Sequence, residues 1–303
     1  MGRPISRVAA LIVGATAVGF LVAGCSSISP TIIAPPPSAS PVNPAPNDSI
    51  ETAVNLAIQS ELAQAAQTAS DGAPALVQVE LNALSSARSL GLSEAFSTVQ
   101  TTGANQIAKR EALVNTLIAD VKANKYLSGV DPAGRSLSAT LLSILDGVDG
   151  QLAALGERIA SDSVPDVLRS DVLSIGTSTR VAGVYEPMTH LAIAGGDELF
   201  ELNFLSSQQQ TFAIQVAARP SSDPNHAEEA SYLSDLASSI ASARATITSG
   251  VSAVMSLTAS GYPANKPTIL NVRSALIGLR APLGKISEAN TDAKEILALL
   301  TNG

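Results

Sequence analysis

The side chains best suited to chemistry lie in one stretch, residues 184–204, with the sequence VYEPMTHLAIAGGDELFELNF. Glu186 and His190 are four positions apart and would share one face of a helix. A carboxylate and an imidazole are ligands of hard or borderline metal ions, so a metal-dependent enzyme is one hypothesis for this stretch. It needs a third ligand, for which the candidates are Asp197, Glu198 and Glu201. The spacing does not match the Glu-x-x-His motif of di-iron bundles, which makes this the least favoured hypothesis.

The same stretch has the composition of a small-ligand pocket, as in a sensory or ligand-binding bundle. Pro187 and the pair Gly195-Gly196 are expected to break or kink a helix, and a broken helix can open a lined cavity. The side chains that would line this pocket are Tyr185, Glu186, Met188, His190, Phe200 and Phe204. The plainer alternative is a kinked core helix that carries one ordinary histidine.

Nucleophilic catalysis has little support in the sequence. The chain contains two histidines and one cysteine. The second histidine, His226, follows Asp223-Pro224 in a polar stretch and is expected at the surface near the start of a helix. No serine lies in a G-x-S-x-G elbow. We therefore predict that the protein is not an enzyme and that it has no catalytic residues, metal or dissociable cofactor.

The charge balance excludes one class of partner. The chain carries a net charge of −8, and an acidic surface repels phosphate backbones, so nucleic acid is not an expected partner. Lys266, Arg273 and Arg280 recur every seven residues and would form a basic stripe on the last helix. We expect that stripe to be a solvated face paired with neighbouring acidic residues.

The elements that position these residues are predicted to be helices. Aromatic residues make up 3% of the chain and no sustained period-two alternation occurs, which favours an all-α fold over a β-sandwich. Apolar residues recur at steps of three and four from about residue 49 onward. The predicted helices include one over residues 74–90, one that begins at Asp131-Pro132, and a last one that Pro267 opens and Pro282 bends. We predict an elongated up-and-down bundle of about six or seven helices over residues 49–303.

Two of these helices have the clearest patterns. The first is defined by Leu137, Leu141, Ile144, Val148, Leu152, Leu155 and Ile159. The second, between Asp223-Pro224 and Gly261, has a seam of the coiled-coil kind formed by Leu233, Leu236, Ile240, Ala243, Ile247, Gly250, Val254 and Leu257. The small residues in the middle of this seam would let a neighbouring helix approach closely.

The beginning of the chain resembles a signal that targets a protein to a membrane. Arg3 and Arg7 precede an apolar stretch over residues 8–22, which is too short for a stable transmembrane helix and suits a secretory signal. Val22-Ala23-Gly24-Cys25 then resembles the lipobox of bacterial lipoproteins, and Cys25 is the only cysteine. The resemblance implies cleavage between Gly24 and Cys25, a diacylglycerol on the cysteine sulfur and an acyl chain on the new amino terminus. It covers only about the first 25 residues.

Residues 25–48 are rich in proline, serine and alanine and are expected to form an extended tether. The sequence thus predicts a signal peptide over 1–24, a lipid-anchored tether over 25–48 and a helical domain over 49–303. It would be exported and held at the outer face of the cell membrane, or at the outer membrane if the organism has one. Besides the membrane, the expected partner of this non-catalytic module is another envelope protein.

Overall fold

The computed structural model describes residues 56, 58–64, 82, 92–131, 133–280 and 284. Most of these residues are helical and none forms a β-strand, so the predicted all-α class is confirmed for the described part of the chain. The helices with defined bounds are α1 (Leu92–Ala123), α2 (Leu137–Ser161), α3 (Pro165–Ser174), α4 (Glu186–Ala217) and α5 (His226–Met255). Two more helical stretches are used below, the N-terminal segment (residues 58–64) and the C-terminal segment (residues 266–280).

Helices α1 and α2 form an antiparallel pair. The start of α1 meets the end of α2, because the Gln100 side-chain amide donates to the backbone carbonyls of Ile159 and Asp162, each at 3.2 Å. The predicted apolar face of α2 is confirmed, since six of its seven residues are buried and Ile144 is half-buried. Burying each leucine of this face stabilises the fold by roughly 1.5–3 kcal/mol relative to leaving it in water.

The predicted start of α2 at Asp131-Pro132 is wrong. The helix begins at Leu137, and the Ser136 hydroxyl caps it by accepting from the backbone N–H of Ala139. Asp131 instead organises the loop before the helix. Its carboxylate accepts hydrogen bonds from two backbone N–H groups and from the side chains of Arg135 and Thr140. An aspartate side chain can accept backbone hydrogen bonds in a turn as well as at the start of a helix. The sequence pattern alone does not distinguish the two cases.

Two π-helical turns, Ile175–Thr179 and Val181–Tyr185, lead from α3 into α4. Arg180 lies between them in the left-handed region, with φ at 45°, and its guanidinium carbon is 4.5 Å from the centre of the Tyr262 ring. Pro187 falls in the first turn of α4, directly after the second π-helical turn. This proline therefore lies at the junction where the π-helical turn passes into the α-helix.

Helix α4 is the centre of the fold, with every residue from 187 to 199 buried. The predicted break at Gly195-Gly196 is wrong, because α4 runs unbroken through both glycines. They are needed for packing instead. A Cβ at Gly195 would collide with the Val251 side chain, and one at Gly196 would collide with Leu127. Neighbouring side chains thus approach α4 so closely on two sides that both positions require glycine. This close packing allows the neighbouring elements to surround the helix.

Helix α5 packs antiparallel to α4 through the predicted seam. The large seam residues from Leu233 to Val254 are buried, as the step pattern predicted. Gly250 faces the C-terminal segment, where a Cβ would lie 3.3 Å from a methyl of Val272. The C-terminal segment in turn buries Ile269, Val272 and Leu276. It therefore closes the bundle over α4 and α5.

Several predictions lie outside the described residues. These are the signal sequence, the tether, the bend at Pro282 and, apart from Asn82, the helix predicted over residues 74–90.

Candidate functional site

The proposed pocket residues are distributed around the first half of α4. Tyr185 and Glu186 are half-buried at its start, while Met188 and His190 are 0% and 2% exposed in the core. Phe200 is half-buried against Tyr126, with the ring centres 5.3 Å apart. Phe204, one turn further along α4, is also half-buried. Met188 therefore packs as a core residue, and the histidine is engaged by a partner that the sequence did not indicate.

That partner is Glu61 of the N-terminal segment. Its Oε2 atom lies 2.5 Å from His190 Nδ1, and both side chains are largely shielded from water. Two more carboxyl groups are close to this pair. Burial, followed by the charge of Glu61, raises the pKa of Asp120, and burial raises the pKa of Glu186 against the lowering effect of His190. The histidine thus ties the N-terminal segment to α4 inside an acidic environment.

The metal hypothesis required Glu186 and His190 to meet a third ligand. In the part of the chain that the structure describes, no group of three or more His, Cys, Asp or Glu side chains is arranged to hold a metal ion. His190 instead uses one ring nitrogen for Glu61. The described residues therefore offer no geometry on which a metal mechanism can be built.

The most unusual chemistry begins about two turns beyond His190 along α4. Asp197, Glu198 and Glu201 have exposed fractions of 0%, 0% and 2%, and we call these three residues the carboxylate cluster. Charged side chains are almost never fully buried unless they are paired. Their burial follows from the two glycines just before them, which bring neighbouring elements close to α4 on both sides.

The carboxylate cluster has few hydrogen-bond partners. Asn124, just after α1, donates from its side-chain amide to Asp197 Oδ2 at 3.1 Å. Arg280 of the C-terminal segment donates from Nη1 to Glu201 Oε2 at 2.9 Å, and the same nitrogen is 4.0 Å from Glu198 Oε1. The other carboxylate oxygens, including both of Glu198, are buried without a hydrogen-bond partner in the described structure.

Burial strongly changes the protonation of two of these groups. It raises the pKa of Asp197 to about 7, with the Asn124 hydrogen bond opposing the rise and the charge of Glu61 adding to it. Burial also raises the pKa of Glu198 to about 8, where Arg280 opposes the rise and the other two carboxylates of the cluster reinforce it. The carboxylate cluster can therefore bind and release protons near neutral pH.

The expectation of a solvated basic stripe is wrong for Arg280. Lys266 is exposed, but the Arg280 side chain is only 16% exposed and is directed to Glu201. Arg273 is half-buried and donates from Nε to the Leu62 carbonyl at 3.2 Å. The seven-residue spacing correctly indicates a common helix face, but it does not show that this face turns toward the core.

An open groove of about 690 Å³ runs along the outer side of α5 beside α4. Its floor follows α5 in steps of three and four residues and consists mostly of small side chains. The lining residues are Ser206, Gln209, Ala237, Ile240, Ala241, Arg244, Ala245, Thr248, Ser249 and Ser252. Arg244 is the only charged residue among them. We call this feature the α5 groove.

Comparison with protein-family profiles, with curated proteins and with solved structures finds no match to this chain. Among the helices that the structure describes, none combines the length and apolar character needed to cross a bilayer.

Proposed function

We propose that this chain is an exported bacterial lipoprotein whose helical domain is a non-catalytic protein-interaction module of the cell envelope. The observation that carries the proposal is the position of its only cysteine. Cys25 directly follows Val22-Ala23-Gly24 at the end of a short apolar stretch with a basic start. This order of features is typical of a lipoprotein signal.

The anchor would consist of a diacylglycerol on the Cys25 sulfur and an acyl chain on its amino group. Several acyl chains give durable membrane attachment where a single chain is marginal, because each buried methylene contributes about 0.8 kcal/mol. The tether over residues 25–48 could then separate the helical domain from the membrane by up to about 75 Å, at about 3.1 Å per residue. A body held in this way can reach a partner in the envelope.

The α5 groove supports the interaction role, with a helix of another envelope protein as its occupant. Ala237, Ala241 and Ala245 are four residues apart and form one small-residue face along α5. Small side chains let a second helix approach closely, and an open groove admits an elongated ligand from the side. Arg244 would favour an acidic residue on that helix. A small-ligand role is less well supported, because His190 and Met188 are already buried among protein atoms.

The groove can be tested by obstructing it. Ala241 is exposed in the groove, so Ala241→Arg should block a docking helix without disturbing the core. Ala153, exposed on α2, provides the matched control Ala153→Arg. We expect one envelope protein to co-purify with the wild type and with the control, and to be lost with Ala241→Arg. Recovery of the same proteins with the wild type and with both variants would contradict the role of the groove.

The lipid anchor can be tested separately. Replacing Cys25 with alanine should leave the precursor uncleaved and abolish labelling by a fatty-acid analogue. Labelling that continues in the Cys25→Ala variant would contradict the proposed anchor.

A further inference from the structure

The carboxylate cluster cannot be fully ionised while it stays buried. Asp197, Glu198 and Glu201 are at most 2% exposed, and Arg280 is the cation that pairs with them. With all three carboxylates charged, two negative charges would lie in the core without a compensating cation among the residues that the structure describes. Several kcal/mol are lost for each unpaired buried ion, so the cluster must either hold protons or open to water.

We propose that the carboxylate cluster is a proton-operated latch: its protonated form keeps the C-terminal segment packed on α4, and its ionisation releases that segment. The C-terminal segment is the element that moves because it carries Arg280, the partly exposed partner of an otherwise buried cluster. Helix α4 is surrounded on all sides from residue 187 to 199 and cannot turn its carboxylates outward. Lifting the C-terminal segment would withdraw Arg280 from Glu198 and admit water to that carboxylate.

The direction of the response follows from the groups that face the cluster. Glu198 is surrounded by Arg280, Asp197 and Glu201, and Asp197 also faces Asn124 and the charge of Glu61. Asp120 and His190 affect Asp197 only indirectly, through Glu61. Because burial places the pKa of Glu198 near 8 and that of Asp197 near 7, the latch is closed in mild acid and opens as the pH rises above neutral.

Hydrogen exchange of the full chain measures this opening. Labelling times at pH 6, 7 and 8 should be scaled for the intrinsic rate of amide exchange, and peptides from residues 266–280 should be compared with residues 141–155 of α2. For one carboxyl with a pKa of about 8 when closed and an ordinary value when open, the opening equilibrium grows by a factor on the order of 50 from pH 6 to pH 8. We expect residues 266–280 to lose protection by about this factor while residues 141–155 keep theirs.

A conservative variant tests whether ionisation of Glu198 causes the loss of protection. Glu198→Gln keeps the shape of the side chain but cannot ionise, so the loss of protection in residues 266–280 between pH 6 and pH 8 should fall to about tenfold or less, the response that Asp197 alone would leave. Glu157→Gln, at an exposed position of α2, should behave like the wild type. The latch is refuted if the wild type shows no pH dependence in residues 266–280, if residues 141–155 lose protection in parallel, or if Glu198→Gln retains the full response.

Discussion

The Arg280 guanidinium donates to the Glu201 carboxylate at 2.9 Å across 79 positions of sequence, and both side chains are largely withdrawn from water. This ion pair joins the C-terminal segment to the central helix α4. It also supplies the positive charge of a cluster that has three carboxylates. The protonation state of the carboxylate cluster and the packing of the C-terminal segment on α4 therefore both depend on the contacts of Arg280.

Removal of the cation should be more harmful than removal of the whole pair. Arg280→Met leaves the buried Glu201 carboxylate without its ion-pair partner, and we expect a loss of about 3 kcal/mol in the free energy of unfolding at pH 6, where the C-terminal segment is packed on α4. The double variant Arg280→Met, Glu201→Met should recover most of this loss, because it removes the uncompensated charge as well. Urea denaturation of the single and double variants measures the difference. Additive losses would show that the two residues are not coupled.

The fold should become less stable as the pH rises. The pKa of Asp197 rises from 3.8 to about 7 on folding and that of Glu198 from 4.5 to about 8, so the folded state binds more protons in this window. The stabilisation is complete below about pH 4 and decreases as the pH rises toward 8, by up to about 1.4 kcal/mol per pH unit for each group. Denaturation at pH 5, 6, 7 and 8 should show this trend, and Glu198→Gln should reduce its slope. A stability that increases over this range would contradict the assignment.

The two glycines before the cluster should tolerate a methyl group poorly. In Gly196→Ala the new Cβ would collide with Leu127 and lie 3.0 Å from the Ser128 carbonyl oxygen. We expect a net loss of about 1–2 kcal/mol from overpacking. Gly147, in the middle of α2 with open space around it, is the matched control. There alanine should stabilise the protein by about 0.5–1 kcal/mol through helix propensity, and thermal denaturation distinguishes the two results.

The link between the N-terminal segment and α4 can be tested at Glu61. Glu61→Ala leaves a buried ring nitrogen of His190 without its partner, which should cost about 1–3 kcal/mol. It should also increase hydrogen exchange in residues 58–64. Gln59, exposed on the same segment, gives the control Gln59→Ala. Equal exchange in both variants would mean that the Glu61 contact does not hold the segment.

The helical class and most core positions could be predicted from the sequence because they depend on local periodicity. The seam of α5 and the apolar face of α2 are examples, since steps of three and four residues define a helix face without knowledge of the neighbour. Helix boundaries were less predictable. Asp131-Pro132 has the residues of a helix start, yet the aspartate serves the preceding loop.

The candidate site could be located from the sequence but not described. The stretch 184–204 was identified by its polar and aromatic residues, and it contains His190 and the carboxylate cluster. The partners of these groups, Glu61, Asn124 and Arg280, come from distant positions, and no local pattern connects them. The role of Gly195-Gly196 could not be predicted for a similar reason, because a glycine that permits close packing has the same sequence signal as one that breaks a helix.

The central claim is that the mature protein is anchored to a membrane by lipid on Cys25. The intact mass of the protein purified from its native host tests this claim most directly. We predict that the chain begins at Cys25 and is heavier than residues 25–303 by the mass of a diacylglycerol and an acyl chain. A mass that includes the first 24 residues, together with a free thiol at Cys25, would contradict the claim and remove the main support for an interaction role in the envelope.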